Sequence, residues 1–188
     1  MSVNPVDVIQ PQVVKLDLGA GKNPKAGFVG VDRIDFGNGN IVADLRKPWP
    51  WADSSVEEFH CSHMLEHFER LERVHILNEL YRVCKPGATG QVITPHWNSN
   101  RAYGDPTHCW PPVSEISWYY LDKNWRANNA PHTDAQHEPG MYNCDWECTW
   151  GYSTHPALQV RAADYQQHAI QWYKEACQDM VCNLKARK

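Results

Sequence analysis

Apolar residues in the first half of the chain come in short runs that are separated by polar turns. Runs of this length, rich in Val, Ile and Leu, predict buried β-strands. Each run closes on glycine, aspartate or a polar turn. We predict five strands in this half: Val13–Leu18, Phe28–Val31, Ile41–Leu45, Val56–His63 and Gln91–Thr94.

One long segment between the fourth and fifth strands has a different period. From Arg70 to Cys84 apolar residues recur every three or four positions, which predicts a helix with one buried face. Lys85-Pro86-Gly87 predicts its end, because proline cannot continue the helical hydrogen bonds. Strands that alternate with helical segments indicate an α/β fold: an open, mostly parallel Rossmann-like sheet with helices on its faces.

The pattern changes after Pro95, where periodicity is weak and Pro, Asn, His and Trp are frequent. A long irregular stretch inside a compact domain is usually functional. The chain contains nine tryptophans and eight tyrosines, side chains that often line ligand sites or interfaces. We therefore expect residues 96–160 to cover a substrate, with a short helix at Ser114–Leu121 and a strand at Asp145–Tyr152. After Arg161 we expect a helix to about Cys177 and then a last strand.

The length of 188 residues predicts one domain, residues 1–188, made of a cofactor-binding core (13–95), the covering segment (96–160) and a C-terminal helix and strand (161–188). The net charge of −4 argues against a nucleic-acid partner. The sequence shows neither an apolar run of about 18 residues nor a signal-peptide pattern. We expect no membrane association, a cytoplasmic location and seven free thiols.

A glycine-rich loop follows the first strand, at Asp17-Leu-Gly-Ala-Gly21. Glycines let a backbone approach a ligand closely. Asp17, Asp32 and Asp44 each stand where a strand ends, and open parallel sheets bind ligands beyond those ends. A dinucleotide is disfavoured, because Pro24 replaces the third glycine of its fingerprint and residues 22–27 are too few for a crossover helix.

A structural explanation stays open for each carboxylate taken alone, since aspartate at a strand end is often a turn former or a helix cap. Three of them around one glycine loop favour a ligand site.

Five motifs in this order resemble the class I S-adenosylmethionine-dependent methyltransferases: Asp17-Leu-Gly-Ala-Gly21, Val-Asp32, Ala-Asp44-Leu45, His63-Met-Leu-Glu-His67 and Cys84-Lys-Pro-Gly87. The shortened stretch before Asp32 and the later Asp105-Pro-Thr-His108 resemble a small subgroup of predicted bacterial and phage enzymes. The resemblance covers roughly residues 13–110. It departs from the family in the short first helix and in the histidine-rich fourth strand.

The resemblance implies S-adenosylmethionine as cofactor and assigns roles to residues around the loop. Gly19, Ala20 and Gly21 would meet the methionyl part, with Asp17 supporting the loop and the amino group. Asp32 would accept the ribose hydroxyls. Asp44 and Leu45 would contact the adenine, and His63 would lie at the mouth of the site.

Candidate groups for the acceptor follow the fifth strand. His96, Asp105 and His108 are the residues we assign to catalysis, because a histidine there is able to take a proton near neutral pH. The alternative is structural: Asp105-Pro106 starts a turn, and His108 caps or packs.

Metal sites and DNA methylation find little support. His63 and His67 do not form the His-Glu-x-x-His motif, because Met64 occupies the glutamate position. Cys144 and Cys148 lack a second tight pair, although the nearby histidines His132, His137 and His155 are possible partners. We predict no metal site. After the fourth strand the chain also lacks the Asp/Asn-Pro-Pro-Tyr motif of amino-methylating DNA enzymes.

The sequence thus predicts methyl transfer from S-adenosylmethionine to a small-molecule acceptor in the cytoplasm, or in the host cytoplasm if the protein is phage-encoded. The alternative is a non-catalytic module that binds S-adenosylmethionine or a nucleotide and holds a protein partner through the Trp-rich segment. Neither the acceptor nor the oligomeric state follows from the residues.

Overall fold

The computed structural model describes residues 14–133, 135 and 141–188. Val13 and His137, which the sequence analysis named, lie outside these described residues. Seven strands form one sheet. They are β1 (Val14–Leu18), β2 (Val29–Asp32), β3 (Ile41–Val42), β4 (Val56–Ser62), β5 (Cys84–Pro95), β6 (Trp146–Thr154) and β7 (Cys177–Ala186).

The helices of the described residues stand mainly in the second half of the chain. They are α1 (Arg70–Val83), α2 (Arg101–Gly104), α3 (Glu115–Tyr119), α4 (Lys123–Asn129), α5 (Pro156–Gln159) and α6 (Ala163–Trp172), with a 3-10 turn at Leu65–His67. Only loops join β1 to β2 and β2 to β3 in this part of the chain. The spacing of residues 22–27 predicts this shortening of the first crossover.

The sheet order is β3-β2-β1-β4-β5-β7-β6. The first five strands in this order run parallel, and β7 is antiparallel to both β5 and β6. The predicted open, mostly parallel α/β sheet is therefore confirmed. Strand order reverses beside β1, so the carboxyl ends of β1 and β4 flank the crevice where such sheets bind ligands.

Two strands differ most in length from their predicted bounds. β3 ends at Val42, so Asp44 lies in the loop beyond it. β5 begins at Cys84, directly after α1, and the pairing with β4 shifts register between Val56 and Glu58. The predicted turn at Lys85-Pro86-Gly87 is therefore a bulge within β5, and Gly87 takes the positive φ of 76° that the bulge requires.

Helix α1 forms for reasons that are visible in the sequence. Glu69 and Glu72 make a reciprocal capping box at its first turn. Its buried residues Leu77 and Leu80 join one hydrophobic cluster with Leu16 of β1 and other core-facing strand residues. Leu65, in the turn that precedes α1, belongs to the same cluster.

Gly90 in β5 generates a prediction about this packing. A Cβ at that position would lie 2.4 Å from the ring and the backbone oxygen of Phe59. Gly90→Ala should therefore destabilise the fold by about 1–3 kcal/mol, measured by urea unfolding. Gly151→Ala in β6 is the matched control, because a Cβ there has no neighbour within 4 Å. Equal unfolding midpoints for the two variants would show that β4 and β5 are not packed as described.

Candidate functional site

The glycine loop after β1 is held by the carboxylate of Asp32. Oδ2 of Asp32 accepts a hydrogen bond of 2.9 Å from the Gly21 N–H, and Oδ1 accepts one of 2.9 Å from the Ile34 N–H. Asp32 therefore ties the loop after β1 to the loop after its own strand. An ionised carboxylate offers about four acceptor positions, so both oxygens of Asp32 keep capacity for a ligand.

The side chain of Asp17 stabilises the same loop through two further contacts. Its side chain is buried, its Oδ2 accepts a 2.8 Å hydrogen bond from the Lys25 N–H, and its Oδ1 lies 2.7 Å from Nδ1 of His60. These bonds close the turn that replaces a first crossover helix.

Two asparagines that the sequence analysis did not single out complete the support. The Nδ2 groups of Asn38 and Asn40 donate to the Gly21 carbonyl at 3.0 and 2.7 Å, and Asn38 also donates to the Lys22 carbonyl at 3.0 Å. No motif signals them, because an Asn-Gly-Asn stretch reads as an ordinary turn.

A cavity of about 400 Å³ opens above these loops, at the carboxyl ends of the parallel strands. Its walls combine three carboxylates with apolar and basic side chains. The lining residues are Gly19, Asp32, Arg33, Ile34, Phe36, Ala43, Asp44, Leu45, Arg46, His63, Met64, His67, Phe68 and Glu72.

Asp44 carries an ion pair within this cavity wall. Arg46 donates from Nε to Oδ1 and from its terminal nitrogen to Oδ2 of Asp44, both at 2.8 Å. These hydrogen bonds lower the pKa of Asp44 to about 2, so its carboxylate is ionised at neutral pH. Leu45, next in the chain, is buried and fills the wall beside it.

The backbone is strained where β1 and β4 end. Gly19 has a φ of +68°, and a Cβ on it would lie 2.6 Å from Cγ of Met64. His63 has a φ of +52°, which side-chain-bearing residues rarely adopt. Its Nδ1 lies 3.3 Å from Oε1 of Glu66, and this carboxylate raises the pKa of His63. Non-glycine strain of this kind clusters at functional sites.

The structure thus separates the predicted cofactor residues into two groups. Those that line the cavity are Gly19, Asp32, Asp44, Leu45 and His63. Asp17, Ala20 and Gly21 do not line it; Asp17 and Gly21 hold the loop in place. Their contacts with a cofactor stay a prediction.

Two of the three predicted catalytic residues lie beside the cavity. The His108 ring packs edge-on against the ring of the cavity residue His67, with centroids 4.6 Å apart. Asp105 lies 3.9 Å from Nε2 of His108 and accepts the Thr107 hydroxyl at 2.7 Å. Hydrogen bonding by Thr107 lowers the pKa of Asp105.

Arg73 fixes this arrangement, although the sequence analysis gave it no role. Its guanidinium is buried and donates to the carbonyls of Phe68, Cys109 and Pro111 at 2.7, 2.7 and 2.5 Å. The Cys109 N–H donates to the Glu66 carbonyl at 2.8 Å. The turn that carries His108 is thereby bound to the turn that carries His67.

His96 does not share this position. Its side chain is 0% exposed, and Nε2 lies 3.1 Å from Oε1 of Glu115. Burial opposes ionisation of Glu115, but hydrogen bonding with His96 outweighs it and lowers the pKa of Glu115 to about 2. Although the sequence analysis assigns His96 to catalysis, it lies in a buried network with Glu115 and Tyr152 and does not line the cavity.

The cysteine-based metal site has no counterpart in the described residues, where Cys144 and Cys148 form no ligand cluster with a histidine. All seven cysteines are free thiols, as predicted.

Comparison with known proteins identifies the fold. Residues 9–90 match the family model of a methyltransferase domain. No curated protein matches the chain. The structure of an S-adenosylmethionine-dependent methyltransferase from Archaeoglobus fulgidus is 16% identical, with a TM-score of 0.58, and the match covers 92% of this chain and 86% of that one.

The resemblance to class I methyltransferases is confirmed. The family match and the shared fold of S-adenosylmethionine-dependent methyltransferases support the predicted cofactor, S-adenosylmethionine. Geranyl diphosphate C-methyltransferase from Streptomyces coelicolor shares the fold at 15% identity and a TM-score of 0.52, over 96% of this chain and 76% of that one. The 1,6-didemethyltoxoflavin-N1-methyltransferase of Burkholderia thailandensis shares the fold at 9% identity and a TM-score of 0.55, over 95% of this chain and 72% of that one. The bacterial and phage subgroup stays a prediction.

The residues of the cavity fit this cofactor. Asp32 and Asp44 offer carboxylate oxygens for hydroxyl and amino groups, and Ile34, Leu45 and Phe68 offer apolar surface for a flat ring. The positive φ of Gly19 brings backbone to the cavity wall. A volume of about 400 Å³ lies within the range of small-molecule sites.

The described residues contain no helix that is long and apolar enough to cross a membrane.

The testable prediction for this site concerns Asp32. Asp32→Ala should weaken S-adenosylhomocysteine binding about 30- to 150-fold, or roughly 2–3 kcal/mol, because it removes charged hydrogen-bond acceptors and releases the Gly21 and Ile34 amides. Isothermal titration calorimetry measures the affinity. Asp35→Ala is the control, since Asp35 only accepts the Gly37 N–H in an exposed turn. Unchanged affinity in Asp32→Ala would remove Asp32 from the ligand site.

Proposed function

We propose that the protein is an active methyltransferase that transfers the methyl group of S-adenosylmethionine to a small-molecule acceptor. The observation that supports this most directly is the junction of two groups of residues. The carboxylate-lined cavity and the His108 turn meet at His67, which lines the cavity and packs against His108. A cofactor cavity and a polar acceptor side would then share one wall.

Each part of this wall has a distinct task in the proposal. Asp32 and Asp44 orient the cofactor, which supplies an activated methyl group when bound. Phe68 and Met64 exclude water from the cavity wall. His108, with Asp105 beside it, takes a proton from the acceptor atom. Positioning and exclusion of water supply much of the acceleration in such a displacement.

A small acceptor is favoured over a nucleic acid. The net charge of −4 gives no electrostatic attraction for a phosphate backbone. The two compared enzymes from Streptomyces and Burkholderia are named for small-molecule acceptors, and the crystal structures hold geranyl diphosphate and 1,6-didemethyltoxoflavin. The free thiols support the proposed cytoplasmic location.

His96 is proposed as a positioning residue for the segment that follows β5. It connects β5 to α3 through Glu115, which also accepts from the Trp97 indole at 3.0 Å and from the Tyr152 hydroxyl at 3.1 Å. Residues 96–160 keep their proposed role as the acceptor cover.

A protein-binding module is the second candidate, and exposed aromatic side chains favour it. Trp110 is 73% exposed and stands 6.4 Å from the ring of Tyr103, which is also exposed. Exposed aromatic pairs are common at protein interfaces.

Transfer of labelled methyl from S-adenosylmethionine to a cell lysate, which is then separated into metabolites, protein and RNA, tests the proposal. We expect label in the small-molecule fraction with the wild-type protein. His108→Ala should keep the affinity for S-adenosylhomocysteine and lower turnover about 10²- to 10⁴-fold.

His168→Ala is the control for the loss of a histidine, because His168 is exposed on α6. Label that appears only in protein or RNA would contradict the small-molecule acceptor. Cofactor binding with no transfer to any fraction would favour the binding module.

A further inference from the structure

Glu66 is the most unusual charged residue of the described chain. It is 4% exposed, and neither carboxylate oxygen has a hydrogen-bond partner. Two cationic groups lie nearby: Nδ1 of His63 makes an ion-pair contact of 3.3 Å with Oε1, and the Arg73 guanidinium donates at 3.3 Å to the backbone carbonyl of Glu66, not to its carboxylate. A buried carboxylate without donors is strongly destabilising unless a cation or a proton compensates it.

Two histidines lie beside Glu66, and their hydrogen-bond partners determine which ring nitrogen of each carries the proton. Oγ1 of Thr107 donates its proton to Asp105, so it accepts from Nδ1 of His67 at 2.9 Å. Nδ1 of His108 stands 3.3 Å from the Ala102 carbonyl, which only accepts. Both rings therefore use Nδ1 as the donor, and each neutral ring keeps a lone pair on Nε2.

This pattern matches the environment of metal-binding histidines, which donate their second ring N–H to a carbonyl, carboxylate or similar acceptor. One ligand atom from each of Glu66, His67 and His108 lies within 4.8 Å of the other two. The bonds of Arg73 and the Cys109 N–H hold the two turns that carry these residues. These bonds hold the backbones of both turns, while the side chain of Glu66 is buried and that of His67 is exposed.

We propose that Glu66, His67 and His108 bind a divalent transition-metal ion. Two imidazole nitrogens and one carboxylate oxygen form a donor set that suits zinc and its first-row neighbours, whereas magnesium and calcium prefer oxygen alone. The ion would give the Glu66 carboxylate a coordinating positive partner in addition to its contact with His63.

The site lies at the cofactor cavity, because His67 lines it. Three protein ligands leave coordination positions for water or for an acceptor atom. The inference goes beyond the proposed function, since ion binding requires neither the cofactor nor an acceptor. His108 would serve as a ligand in the ion-bound protein, so loss of turnover in His108→Ala is expected with either role and only ion binding separates them.

Ion binding to the full chain tests the proposal. The protein is treated with a chelator, dialysed and titrated with Zn²⁺ by calorimetry and with Co²⁺ by visible absorption. We expect one Zn²⁺ per chain and Co²⁺ bands of nitrogen and oxygen ligation. Glu66→Gln and His67→Ala should each weaken Zn²⁺ binding more than about 100-fold, because loss of even an outer partner costs about 10- to 100-fold. Thr107→Val should weaken Zn²⁺ binding about 10- to 100-fold, because it removes the hydrogen-bond acceptor of His67.

Thermal unfolding separates loss of the site from loss of the fold. Without metal, Glu66→Gln should still unfold in one cooperative transition, because glutamine fills nearly the same volume as glutamate. With Zn²⁺, the wild-type protein should gain stability and Glu66→Gln should not. His168→Ala is the control for adventitious histidine binding and should bind like the wild type.

The proposal is overturned if the wild-type protein binds neither ion, or if Glu66→Gln and His67→Ala bind Zn²⁺ as tightly as the wild type. Binding of S-adenosylhomocysteine to the metal-free protein reports on the cofactor site separately, so failure of one proposal does not imply failure of the other.

Discussion

The carboxylate of Asp32 is the constraint on which the cofactor cavity depends. It binds the amides of Gly21 and Ile34 at the same time, and so it joins the loops that follow β1 and β2. Most sheets of this kind place a helix after the first strand, whose N-terminus fixes the loop. Here no such helix is present among the described residues, and side-chain hydrogen bonds from Asn38 and Asn40 take over its task.

The second constraint is the guanidinium of Arg73. It satisfies carbonyls in two turns that are far apart in sequence, and it places the ring of His108 against that of His67. Burial lowers the pKa of Arg73, and the neighbouring Cys109, Glu66 and Glu69 oppose the effect. The same bonds leave the Glu66 carboxylate buried beside both rings. The proposed cofactor cavity, the proposed acceptor side and the proposed ion site thus depend on one packed junction.

Much of this could be predicted from local sequence. Strand periodicity, the helix at residues 70–83 and the short first crossover all depend on neighbouring residues. Asp32 and Asp44 could be placed because strand ends meet at one edge of a parallel sheet. The burial of His96 could not be foreseen, because it depends on Glu115 of α3. The Glu66 cluster also escaped prediction, since its third member is brought in by Arg73 and not by sequence spacing.

The most direct test of the central claim follows individual amides as the cofactor site fills. Addition of S-adenosylhomocysteine to ¹⁵N-labelled protein should shift the resonances of Gly21 and Ile34 most strongly, because their N–H groups donate to the carboxylate that would receive the ligand. Amides of β6, such as Gly151, should stay unchanged. Shifts confined to β6 and β7, with Gly21 and Ile34 unaffected, would contradict a cofactor site organised by Asp32.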